Sequence, residues 1–296
     1  MSASNIPSHL THPAATGANA PQIEHWNGET GKRWTQHQDR LDEMLEPFSA
    51  ALLDLAAIRE GESIMDIGCG CGATTFEMAA KAGRAGQALG VDISAPMIAR
   101  AKERAAAAGS HAEFLLADAA THSFAPQSFD LLASRFGIMF FVEPVEAFSH
   151  LRKALKAEGR IAFVCWRPMP ENDWVSVPLR ATLPHVPKPE PMEPGAPGPF
   201  AFGDKDRFSK VLKEAGFSAI TIEPGNADLL IGRKGNAVED ALEQSLDIGP
   251  LSRLLKGMDE DRLANVKNAV RKELAHHEKD GEIRLGGAVW LVSARA

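Results

Sequence analysis

The chain contains no tyrosine in 296 residues, so chemistry that relies on a phenolic side chain is excluded. Cysteine is nearly as scarce: Cys69, Cys71 and Cys165 are the only three. An odd count without a Cys-x-x-Cys pair argues against a disulfide framework and for a reducing, cytoplasmic home. Cys-x-Cys also matches no usual zinc spacing, and no metal is expected. Positive charge is the minority, with 32 Lys and Arg against 39 Asp and Glu, a net charge of −7. No basic block or basic–aromatic stripe is present, which disfavours nucleic acid and anionic membrane surfaces as partners. No apolar run approaches the roughly 20 residues of a transmembrane helix. The first twenty residues, rich in Ala, Ser, Thr, Pro and His, lack the apolar run of a signal peptide. Residues 1–22 are expected to form a disordered tail.

The chain does have apolar material for a sizeable core, at 44% hydrophobic residues, enough for one elaborated domain or two. From Ser63 to Cys165, short apolar runs alternate with longer amphipathic ones. Strands are expected at Ser63–Ile67, Ala88–Val91, Glu113–Leu116, Phe129–Ala133 and Arg160–Cys165. Helices are expected at Ala73–Ala82, from Ser94 to a stop at Gly109, and from Pro144 to Ala157 with a stop at Gly159. Such alternation implies a doubly wound α/β sheet, mostly parallel. Helices are expected over Glu24–Ala57. The proline- and glycine-rich Pro184–Pro199 is expected as a long loop. A helix at Phe208–Ala215, a strand at Ala219–Ile222, helical structure over Asn236–Lys279 and a final strand at Val289–Ala294 complete the reading.

The strongest signal is DIGCGCGATT, Asp66–Thr75, at the end of the first strand. Gly68, Gly70 and Gly72 make a tight strand-to-helix turn that lets backbone approach a ligand, with free helix N–H groups beyond it. Gly68, Gly70 and Ala73 also fit the G-x-G-x-x-A variant of a dinucleotide fingerprint. Asp66 is placed to order the turn or meet a cationic amino group. Asp92, in GVDIS, can accept from both hydroxyls of a ribose, a contact that NAD enzymes share. Asp118, in LLADA, lies within reach of an adenine amino group. Three aspartates at the carboxyl ends of three successive parallel strands converge on one crevice.

The ordered set DIGCGCGATT, GVDIS, LLADA and SFDLLASRFGIMFF resembles class I S-adenosylmethionine-dependent methyltransferases. It is similar to the ubiquinone/menaquinone-biosynthesis branch of small-molecule methyltransferases. These motifs cover roughly residues 60 to 165 and are specific in combination; WNGETGKRW and FGDKDRFSKVLKEAGF look like further parts of that branch. The resemblance implies a seven-stranded Rossmann-like sheet with an N-terminal helical lid (23–60), a cofactor-binding core (61–167), an inserted cap (168–203) and a C-terminal part with a helical insertion (204–296). It implies S-adenosylmethionine as cofactor, S-adenosylhomocysteine as product and a small-molecule acceptor methylated at carbon, oxygen or nitrogen; a homodimer is left open. Asp66, Gly68, Cys69 and Gly70 would surround the methionine moiety. Asp92 would hold the ribose, with Ile93 and Met97 beside the adenosine, and Asp118 and Ala119 would meet the adenine. Ser134, Arg135 and Phe136 would face the transferring methyl group.

A sulfonium needs little help to release its methyl beyond alignment and exclusion of water, and a base is needed only if the acceptor's reacting atom carries a proton. His37 is a candidate base and Arg135 a candidate partner for an acidic substrate group or for a local carboxylate. Trp34, with Trp26, is expected in a lid over the cofactor. Trp166, Trp174, Phe200 and Phe202 could line an acceptor pocket, although core packing explains each equally well. The alternatives are a non-catalytic S-adenosylmethionine-binding protein and an NAD-dependent oxidoreductase, which leaves Asp66 and Asp118 unexplained.

Overall fold

The computed structural model describes residues 17–187, 193, 195–255 and 257–296. Three helices come first: α1 (Ala20–Asn27), α2 (Glu29–Gln36) and α3 (Gln38–Ala56). The alternating unit follows as β1 (Ser63–Ile67), α4 (Ala73–Ala82), β2 (Gln87–Asp92), α5 (Ala95–Ala108), β3 (Glu113–Leu116), β4 (Phe129–Arg135), α6 (Pro144–Arg152) and β5 (Leu155–Trp166). Then come α7 (Asp173–Thr182), α8 (Lys205–Glu214), β6 (Ser218–Gly232), α9 (Ala237–Asp247), α10 (Pro250–Leu254), α11 (Glu260–Ala275), β7 (Glu278–Lys279) and β8 (Glu282–Arg295).

The strands form one sheet in the order β3-β2-β1-β4-β5-β8-β6, with the two-residue β7 paired to β8. Strands β1 to β5 are parallel, and β8 runs antiparallel between β5 and β6. The apolar run SIMDI suits β1, which is covered on both faces and buried from Ile64 onward. Strand order reverses between β1 and β4, which opens a crevice at their carboxyl ends. Phe48, Leu52 and Ala56 of α3 and Met78, Ala79 and Ala82 of α4 are buried in the core.

Three expectations need correction. Residues 20–22 belong to α1, whose Pro21 sits in the first turn, and Asn19 is buried, so they are not tail; residues 1–16 lie outside the described residues. The helix expected to reach Ala157 ends at Arg152, because Leu155 is drawn into pairing with Phe129 and is buried. Here tertiary pairing overrides a helical composition. The strand expected to end at Ile222 runs to Gly232, and β8 begins at Glu282 rather than Val289. Pro224 and Gly225 look like breakers, but β6 is an edge strand, where a missing donor is tolerated. The region 236–279 is three helices that end in β7. Of the expected loop 184–199, residues 188–192 and 194 lie outside the described residues.

Candidate active site

The first turn of the crevice is built by geometry that only glycine supplies cheaply. Gly68, Gly70 and Gly72 have φ of 67°, 55° and 86°. A Cβ on Gly68 would lie 2.5 Å from Cα of Gly137, so the turns after β1 and β4 touch at the point where strand order reverses. Gly68 and Cys69 donate their N–H groups to the Val91 carbonyl at 2.8 and 3.2 Å. Helix α4 then begins at Ala73 with no side-chain cap. Its first N–H groups are therefore available to an anion.

Asp92 closes the turn from the next strand. Its Oδ2 accepts from Gly70 N–H at 2.9 Å and its Oδ1 from Ser94 N–H at 2.8 Å. Burial raises its pKa from 3.8 to about 6 against the pull of those two donors. Asp118, after β3, accepts on both oxygens from Asn19 Nδ2 at 3.0 Å, and its Oδ1 also accepts from Ala120 N–H at 2.9 Å.

A cavity of about 1140 Å³, counting its open mouth, fills the crevice. Clefts for small molecules span roughly 300 to 1,000 Å³. Gly68, Gly70, Asp92, Ile93, Met97, Asp118, Ala119, Arg135, Phe136 and Trp34 all line it. A smaller chamber beside the glycine turn adds Cys69, Cys71, Ala73 and Thr74, and shares Trp34, Arg135 and Phe136 with the first. Burial pushes the Cys69 thiol well above its ordinary pKa, which keeps it protonated and unreactive.

Two expected contacts are placed differently. Asp66 is buried and lines neither chamber; its Oδ2 accepts from the hydroxyls of Thr74 and Thr75 at 2.7 and 2.6 Å. It therefore ties β1 to the first turn of α4. Ser134 is also buried off the cavity wall: its Oγ donates to the Ile67 carbonyl at 2.7 Å and accepts from Gly137 N–H at 3.1 Å. It clamps the two touching turns rather than facing a ligand.

His37 does not reach the cavity either. Its Nε2 lies 3.4 Å from Oδ2 of Asp247, and it lines neither chamber. Arg135, by contrast, is on both walls, and its Nη1 donates to Ser49 Oγ. Burial lowers its pKa, while the charges of Asp42 and Asp66 oppose that shift. Phe136 follows with φ of 68°, a left-handed conformation costly for an aromatic residue. It is held there by stacking on Trp166, with centroids 4.2 Å apart and planes 7° apart.

Trp166 and Trp174, 4.9 Å apart, form the far wall with Ile248 and Gly249. Phe202 instead stacks on Phe208 in the core at 4.1 Å, and Phe200 packs against the core without lining the cavity. Among the described residues, no group of three or more metal-ligating side chains is present, and no helix is long and apolar enough to cross a membrane.

The N-terminal helices contribute Asn19, Gln22, Trp26 and Trp34 to the cavity wall. Trp26 packs edge-on against Trp34 at 5.7 Å and Phe140 at 5.1 Å. Ser94 Oγ donates to the Trp26 carbonyl at 2.8 Å, and Asn27 bridges the Ile93 carbonyl and Ala95 N–H at 2.8 and 2.9 Å. Sequence reading missed Asn19, Gln22, Met44, Met139 and Ile248 on the wall. Pro21 was the available signal for an earlier helix start, since proline favours the first helical turn; Met44 on α3 reads as ordinary core.

The methyltransferase domain family matches residues 64–159. The chain is 36% identical to aklanonic acid methyltransferase DauC of Streptomyces sp. strain C5 over 127 residues, 42% of this chain and 58% of that protein. It is 30% identical to nocamycin O-methyltransferase of Saccharothrix syringae over 184 residues, 59% of this chain and 66% of that protein. The matched stretches thus span less than two thirds of either relative. The YcgJ protein of Bacillus subtilis shares the fold at a TM-score of 0.54 and 16% identity, covering 83% of this chain and 97% of that one. Fold, motifs and family match agree: residues 64–159 are a methyltransferase domain of the class I type, set in a Rossmann-like sheet.

Proposed function

We propose that the protein transfers a methyl group from S-adenosylmethionine to a small-molecule acceptor. The observation that carries this reading is the joining of the glycine turn to Asp92 through Gly70 N–H, in one cavity with Asp118. Asp92 keeps lone pairs for two ribose hydroxyls, Ile93 and Met97 flank the adenosine, and Asp118 with Ala119 receives the adenine. Gly68, Cys69 and Gly70 surround the methionine portion, whose carboxylate is suited to the uncapped start of α4. Trp34 covers the sulfonium, for which an aromatic face is a favourable neighbour. Arg135 and Phe136 face the methyl group from the end of β4. The DauC and nocamycin enzymes, named for small-molecule methylation, support an acceptor of that class.

S-adenosylmethionine supplies an electrophilic methyl on a positive sulfur. The chain's own residues hold the donor, shield it from water and place the acceptor in line. The test is thermal unfolding with added ligand. S-adenosylhomocysteine should raise Tm by mass action, and NAD should leave it unchanged. A shift with NAD and none with S-adenosylhomocysteine would overturn the reading in favour of a dinucleotide site.

A further inference from the structure

The cavity wall is apolar and aromatic at one end and carries one cation. Among the described residues, no lysine, histidine or glutamate lines either chamber, and Arg135 is the only positively charged side chain on both. Arg135 makes no ion pair among the described residues, and its hydrogen bond goes to the uncharged hydroxyl of Ser49. Asp42, whose field it feels, is engaged by Arg104 at 2.8 Å. A guanidinium carries five donors and is costly to enclose without a counter-charge.

Next to it stand Phe136 and Trp166, stacked, and Trp174, whose indole N–H is buried without a partner among the described residues. The arrangement is an aromatic wall with the Arg135 guanidinium beside it. The donor's own carboxylate does not need Arg135, because Ala73 and Thr74 bring the uncapped α4 N-terminus to the other chamber.

We propose that the aromatic end of the cavity takes a ring-containing acceptor bearing an ionised oxygen, a carboxylate or acidic phenolate, and that Arg135 selects it. This rests on the methyl-transfer reading above. An oxygen lone pair forms the new O–C bond to the methyl carbon, and the C–S bond breaks with its pair going to sulfur. Anion and sulfonium are both neutralised, and no proton moves. That chemistry needs no general base; of the carboxylates on the wall, Asp92 and Asp118 belong to the adenosine in the reading above and Asp42 is engaged by Arg104. The neutral ester or ether then loses its attraction to Arg135, which favours release.

The test is calorimetric titration of 2-naphthoate and of the uncharged naphthalene-2-carboxamide into protein saturated with S-adenosylhomocysteine. Native protein should bind the acid at least ten-fold more tightly than the amide. Arg135→Met should abolish that preference, and Arg135→Lys should restore part of it. Equal binding of acid and amide by native protein, or no binding of the acid, overturns the proposal without recourse to any variant. So does an Arg135→Met protein that keeps its acid preference. Loss of S-adenosylhomocysteine affinity in Arg135→Met, with methylthioadenosine affinity unchanged, would assign Arg135 to the donor's carboxylate and overturn the proposal too. Failure of native protein to bind S-adenosylhomocysteine would instead sink the underlying methyl-transfer reading.

Discussion

Asn19 donates its side-chain amide to both carboxylate oxygens of Asp118, at 3.0 Å each, across 99 residues of sequence. Its own Oδ1 accepts from Val142 N–H at 3.2 Å. The first described helix is thereby fastened at one end to the carboxyl side of β3 and at the other, through Asn27 and Trp26, to the start of α5. The strap crosses the same crevice in which Asp92 and Asp118 face the cavity. Any ligand that enters this end of the cavity meets residues drawn from both the sheet and the strap.

The raised pKa of Asp92 makes cofactor binding pH-dependent. The folded protein holds a proton on this carboxyl up to about pH 6, whereas the exposed group would release it near 3.8. Burial therefore stabilises the protonated form. As pH falls from 6 towards 4, this group shifts the folding balance towards the native state. Ribose hydroxyls need the ionised form as acceptor, so S-adenosylhomocysteine affinity should rise as pH goes from 5 to 7. Asp92→Asn should flatten that rise and weaken binding by about 1.5–3 kcal/mol. Titration calorimetry across that range checks both; an affinity that is flat with pH in native protein would remove Asp92 from the ribose site.

Gly137→Ala should destabilise the fold. Its Cβ would lie 2.4 Å from the Ile67 carbonyl oxygen and 2.6 Å from Cα of Gly68, both backbone atoms that cannot swing aside. Overpacking of this kind costs roughly 1–3 kcal/mol. Chemical denaturation should show a lower midpoint, with S-adenosylhomocysteine affinity reduced in the surviving folded protein because the glycine turn is displaced. A midpoint within experimental error of the native protein would show that the two turns can separate freely.

The parts of this molecule that could be read from sequence are those whose information is local. Ser63–Ile67, Ala73–Ala82 and Glu113–Leu116 have the bounds that periodicity and glycine stops indicate. Asp92 announces itself by ending β2, and Asp118 by following β3 closely. What was not legible depends on distant partners. Residues 155–158 join a strand because Phe129 is available to pair, and Pro224 survives within β6 because no strand among the described residues pairs beyond that edge. Ser134 and Asp66 carry polar groups that look aimed at a ligand, yet Ser134 clamps the touching turns and Asp66 is taken up by the hydroxyls of Thr74 and Thr75. Asn19 gives no local sign of its role at all, since its partner lies in another motif.

His37 should be dispensable. Its ring sits against Asp247 at 3.4 Å and off the cavity wall, so it is not placed to take a proton from an acceptor held there. With 2-naphthoate as acceptor, His37→Gln should release S-adenosylhomocysteine at a rate within two-fold of native protein. A drop of a hundred-fold with unchanged donor affinity would restore His37 as the base and imply that the N-terminal helices rearrange on binding.

The strap should open when Asn19 is truncated. Asn19→Ala removes charge-assisted hydrogen bonds to Asp118, interactions worth about 1.5–3 kcal/mol when made to a charged group. The remaining fastenings, Asn27 and the Trp26 contacts, hold the other end of α1. Opening should therefore be local: amide exchange over residues 20–27 should accelerate while strands β1 to β5 keep their protection. In native protein, S-adenosylhomocysteine should slow exchange over residues 20–37, because a closed strap with Trp26 and Trp34 over the ligand excludes water. In Asn19→Ala that slowing should be smaller, and S-adenosylhomocysteine should dissociate faster. The opposite result, tighter binding in Asn19→Ala, would show that Asn19 occupies the place of the adenine amino group. The strap would then be a competitor that the ligand displaces, and Asp118 would pass from the Asn19 amide to the adenine amino group during each turnover.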